Sequence, residues 1–78
     1  MIYIILPSYN EEKNLVKILK KIEFLNKKIK SKVILVDDGS NDSTLKLGTK
    51  KYSFKVIYLR HKINKGLSVA LETGFKKV

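Results

Sequence analysis

Seventy-eight residues allow one small domain, a size that buries only about 60% of its unfolded surface. There is no cysteine to supply a disulfide or a thiolate metal site, and no apolar stretch approaches the ~20 residues of a bilayer-spanning helix. The net charge of +10 comes from 17 Lys and Arg against 7 Asp and Glu, and Arg60 is the only arginine. That balance disfavours bidentate arginine readout of a nucleic acid, and leaves solvated lysine faces, a polyanionic ligand or an anionic membrane surface.

Ile2 to Leu6 is a continuous apolar run, which predicts a strand buried on both faces and stopped by Pro7. It lacks the basic leader of a signal peptide. After the polar Ser8, Tyr9 and Asn10, the residues Leu15, Ile18, Leu19, Ile22, Leu25 and Ile29 recur at helical spacing. Ser8 with Glu11 fits a capping box, with Asn10 as the competing cap. Glu11 and Glu12 at the start and Lys27, Lys28 and Lys30 at the end complement the helix dipole.

Lys32 to Val36 predicts a second, interior strand, and Asp37 to Asn41 a turn. A second helix is expected from Asp42 or Ser43 to about Lys51, with a weak pattern interrupted by Gly48. Lys55 to Leu59 predicts a third strand. Arg60 to Lys65 is polar, and a third helix starts near Gly66 with Leu67, Ala70, Leu71 and Phe75 on its inner face. The order β-α-β-α-β-α argues for an α/β, Rossmann-like parallel sheet with right-handed crossovers.

Three polar segments follow the three strands: PSYNEE, VDDGSNDST and RHKINKG. In a parallel sheet they share the edge at which open α/β folds bind ligands. Asp37 and Asp38 can accept hydrogen bonds from a base or ribose, or offer hard oxygens to a cation. Gly39 permits a sharp turn and a close approach, and Ser40 to Thr44 can cap the next helix. Pro7 and Tyr9 can form a wall against a planar base. Glu11 serves as a dipole partner or a ligand. Arg60 is a surface cation or the neutraliser of a diphosphate. Asn64 and Gly66 open a helix whose amides suit phosphate. His61 stands alone, without the nitrogen or sulfur neighbours a zinc site needs.

These segments, in this order and extended by GLSVALETGF, resemble the N-terminal part of family 2 glycosyltransferases, the dolichyl-phosphate mannose synthase-like enzymes among them. The resemblance runs through essentially the whole chain. It implies the N-terminal half of a GT-A fold, with Pro7, Tyr9, Glu11, Asp37, Asp38, Asn64 and Gly66 serving a nucleotide-sugar donor. Asp38 would contact uracil or guanine, supported by Asp37, and Asn64 to Gly66 would lie near the diphosphate and sugar. It further implies a UDP- or GDP-sugar, Mg²⁺ or Mn²⁺, and a lipid-phosphate, polysaccharide or protein acceptor. A polyprenyl phosphate acceptor would place the enzyme in the cytoplasm, at the inner face of the membrane.

The family's D-x-D metal motif occurs nowhere in this sequence, and its catalytic base lies beyond the matching segment. The reading is therefore a nucleotide-sugar-binding front that is inactive alone. The alternative is a stand-alone nucleotide-binding or regulatory module without transfer activity. A nucleic-acid partner is not expected. Three interior-type strands leave an open sheet edge, so the chain is expected to be marginally stable and to self-associate through that edge.

Overall fold

The three apolar runs become three parallel strands in a computed structural model that describes residues 1–78. The elements are β1 (Ile2–Ser8), α1 (Glu12–Asn26), β2 (Ser31–Asp38), α2 (Thr44–Thr49), β3 (Lys55–His61) and α3 (Leu67–Phe75). Strand order is β1-β2-β3. Ile4 lies opposite Val33, and Val33 opposite Val56, with no break in either register.

β2 is the spine of the molecule. Val33, Ile34, Leu35 and Val36 are each 0% exposed, and burying such a side chain contributes about 1.5–3 kcal/mol. Successive side chains of a strand point to opposite faces, so β2 supports two cores. Val33 and Leu35 pack with Leu15, Leu19 and Ile22 of α1 and with Phe54. Ile34 and Val36 pack with Ala70 of α3, together with Ile5, Ile57 and Leu59. Helices α1 and α2 thus cover one face and α3 the other.

Several sequence expectations shift. β1 runs through Pro7 to Ser8 rather than stopping at the proline. It is an edge strand, where a missing ladder donor is tolerated, and it is half-buried rather than buried on both faces. α1 ends at Asn26, and Ile18, Leu25 and Ile29 stay exposed because three strands are too narrow to cover the whole apolar stripe. Neither Ser8 nor Asn10 caps α1. The amide of Glu12 instead donates to Asp42 Oδ2 at 3.2 Å, from the neighbouring loop.

α2 is shorter than expected, ending at Thr49. Gly48, the residue that weakens its pattern, is required by packing: a Cβ there would overlap the Tyr58 ring. Helix propensity gives way to a close approach between α2 and β3.

Candidate functional site

Asp37 and Asp38 end the same strand, and the pleat sends them to opposite faces. Asp37 falls on the α1/α2 face and is 0% exposed. Its Oδ1 accepts from the Ser40 amide at 2.8 Å. Its Oδ2 accepts from Arg60 Nη1 at 2.7 Å and from the Tyr58 hydroxyl. Arg60 Nη2 also donates to the Ser40 carbonyl at 2.9 Å. Arg60, considered above for a diphosphate, is therefore committed to a carboxylate and a backbone oxygen. Burial first, then the bond to Asp37, pushes the Tyr58 hydroxyl above its ordinary pKa.

Asp38 falls on the α3 face and is 4% exposed. Its Oδ1 lies 2.8 Å from His61 Nδ1 and accepts from the Lys65 amide at 2.9 Å; its Oδ2 accepts from the Gly66 amide at 2.9 Å. Burial alone would raise its carboxyl pKa. The hydrogen bonds from His61, Lys65 and Gly66 outweigh that and hold it below the ordinary value of 3.8. His61 in turn places Nε2 2.9 Å from Thr73 Oγ1, and Thr73 Oγ1 donates to the Val69 carbonyl at 3.0 Å. A chain of contacts thus runs from β2 through β3 into α3.

The loops after β1 and β2 are fastened together as well. The Asn10 amide donates to Ser40 Oγ at 3.0 Å, and the Asn41 amide to Asn10 Oδ1 at 2.8 Å. Asn10 accommodates this with φ of 50°. Asp42 accepts from the amides of Glu12 and Thr44 and from the Thr44 hydroxyl, and these bonds hold its pKa down against its burial. Gly39, expected to admit a ligand, instead admits the third loop: at φ of 79°, a Cβ there would sit 2.7 Å from the Asn64 amide nitrogen.

Between these loops and α3 opens a cleft of about 280 Å³. Pro7, Tyr9, Glu11, Asp38, Asn64 and Gly66 line it, with Leu67 and Ala70 contributed by α3. Of the seven candidates from the sequence, Asp37 is the one outside it. Tyr9, 44% exposed, forms part of the wall. Asp38 supplies an acceptor, Asn64 an amide, and Gly66 the entrance to α3. The arrangement suits a planar, polar ligand that offers a hydrogen-bond donor.

The residues present do not fit a divalent cation. Asp37 and Asp38 already face N–H and O–H donors, and no group of three or more His, Cys, Asp or Glu side chains could hold one.

Sequence reading overlooked His61, Ser40 and Asp42 as organisers of the site. A signal was present: KVILVDD and KVIYLRH align residue for residue, which sets Asp37 opposite Arg60 and Asp38 opposite His61, as the sheet register does.

Residues 3–78 match the family described as Glycosyl transferase family 2. The chain is 40% identical over 75 residues to an uncharacterized protein of Methanocaldococcus jannaschii, covering 92% of this chain and 31% of that one. It is 34% identical over 91 residues to the UDP-N-acetylglucosamine–dolichyl-phosphate N-acetylglucosaminyltransferase of Methanococcus voltae, covering 99% of this chain and 35% of that protein. With the dolichol-phosphate mannosyltransferase of Pyrococcus furiosus it shares 36% identity over 77 residues, or 95% of this chain and 21% of that protein. The chain therefore spans about a third or less of the length of these relatives.

Proposed function

The chain belongs to glycosyl transferase family 2, and from that premise we propose that it forms the donor-binding part of an enzyme that moves a sugar from a nucleoside diphosphate to a polyprenyl phosphate. The observation that carries this reading is the cleft at the carboxyl ends of three parallel strands, where Tyr9, Asp38, Asn64 and Gly66 meet. In an open α/β sheet that is where a nucleotide binds.

Each residue has a role there. The Tyr9 ring offers a stacking face for the base. Asp38, ionised near neutral pH, accepts from a base N–H. Asn64 and the first turn of α3 meet the diphosphate with an amide and unpaired backbone N–H groups. Asp37 acts indirectly, by fixing the Ser40 turn through which the first two loops are joined. Mg²⁺ or Mn²⁺, when bound, would neutralise the leaving diphosphate. Its ligands and the base that activates the acceptor are not among these residues, so transfer by this chain alone is not expected.

A lipid phosphate acceptor sets the reaction at a membrane surface. No helix here is long and apolar enough to cross a membrane, and the net charge of +10 suits the anionic inner face.

Calorimetric titration with UDP- and GDP-sugars, with and without Mn²⁺, tests the donor reading. Saturable binding is expected, weakened on the order of tenfold or more by Asp38→Ala, the scale of one lost charge-assisted hydrogen bond. Unchanged affinity in a variant that keeps its circular dichroism spectrum would remove Asp38 from the site.

A further inference from the structure

Asp38 is more constrained than a carboxylate open to solvent. An ionised carboxylate has about four lone-pair positions and can only accept. Three are occupied: two on Oδ1, by His61 Nδ1 and the Lys65 amide, and one on Oδ2, by the Gly66 amide. Oδ2 therefore keeps one acceptor position, on a side chain that lines the cleft.

The bases differ in what they present to such a position. Uracil offers one N–H, flanked by two carbonyl oxygens. Guanine offers a ring N–H and an amino group side by side, which match a carboxylate with both oxygens free. Here Oδ1 is filled, and a guanine would leave one donor buried without a partner. Cytosine and adenine present an amino group next to a bare ring nitrogen, whose lone pair would face the carboxylate. We infer that this cleft selects uracil nucleotides over guanine nucleotides, with His61 as the positioning residue that sets the choice by occupying Asp38 Oδ1.

His61 is well placed for this. Its ring is held from both sides, by Asp38 on β2 and Thr73 on α3, and only 10% of its side chain is exposed. Thr73 Oγ1 lies 2.9 Å from Nε2 and itself donates to the Val69 carbonyl, which ties the ring to α3. Asp38 is the charged side chain within hydrogen-bonding reach of the ring. Glu72 on α3 pairs instead with Lys76 at the surface, and Lys62 and Lys65 of the adjoining loop are exposed.

The inference rests on the donor reading above, and the test separates the two. UDP and GDP are titrated against the chain and against two variants, His61→Asn, which keeps an N–H near the Nδ1 position, and His61→Leu, which does not. UDP is expected to bind the unsubstituted chain roughly tenfold or more tightly than GDP, the scale set by one donor left unpaired. The ratio should persist in His61→Asn and shrink severalfold in His61→Leu, as one of the two occupied positions on Oδ1 becomes free. GDP binding as well as UDP, or a ratio unchanged in a folded His61→Leu chain, overturns the inference and leaves the donor reading standing. Binding of neither nucleotide takes down the donor reading itself. The comparison on the unsubstituted chain decides the base preference even if His61→Leu fails to fold.

Discussion

Asp37 and Asp38 are neighbours in sequence and opposites in use. Asp37 is sealed among Ser40, Tyr58 and Arg60, on the face that carries α1 and α2. Asp38 holds the third loop against β2 and still borders the cleft, on the face that carries α3. One carboxylate builds the platform and the other equips it. The difference arises from the pleat of a single strand, so identical side chains one position apart carry different consequences.

Breaking the platform should have the largest effect. Asp37→Ala leaves the Ser40 amide and the Tyr58 hydroxyl without their acceptor and removes the carboxylate that pairs with Arg60, itself 40% exposed. A loss of about 3 kcal/mol is expected, from a domain whose total is on the order of 4–12 kcal/mol. Urea unfolding monitored by circular dichroism would show it; a midpoint like that of the unsubstituted chain would demote the network to decoration.

Gly39→Ala strikes the seam between the two regions. The new Cβ meets the backbone of Ile63 and Asn64 at a positive φ, so about 2 kcal/mol of stability should disappear. The third loop should also move away from Asp38, and hydrogen exchange at Lys65 and Gly66 should quicken. Protection unchanged at those two amides would contradict the seam.

Acid sharpens the comparison without a substitution. Asp38 and Asp42 have folded-state pKa values below 3.8. The unfolded chain therefore takes up their protons first as pH falls. Their stabilisation is complete above the unfolded value and drains away below it. Stability measured from neutral pH downward should stay level in this respect until about pH 4 and then drop, and the drop should be smaller in Asp38→Asn.

The smallest effect concerns the sheet edge. Ile2 and Tyr3 are exposed on β1, and Leu67 and Phe75 on α3, so association of the chain with itself is expected at high concentration. Tyr3→Lys should weaken it severalfold in sedimentation experiments. Association indifferent to that charge would place the contact elsewhere.

The sequence made the platform legible because burial leaves a strong pattern. The run VILV is apolar at every position, as a strand covered on both sides must be, and KVIYL repeats it. What it did not reveal lies between segments. Asp42 secures α1 from 30 residues away, while the local caps offered by Ser8 and Asn10 go unused. Ile18 and Leu25 follow helical spacing but remain exposed, because periodicity reports an apolar face without reporting what covers it. Gly48 read as a helix breaker, since its ring partner Tyr58 is ten residues away on β3.

Two-dimensional ¹⁵N NMR during addition of UDP-sugar tests the division between the two carboxylates most directly. Shifts are expected to concentrate at Tyr9, Asp38 and Asn64 through Leu67, with the amides of Leu47, Lys50 and Tyr52 on the opposite face silent. Shifts centred on that opposite face, with the Asn64–Leu67 amides unmoved, would contradict it.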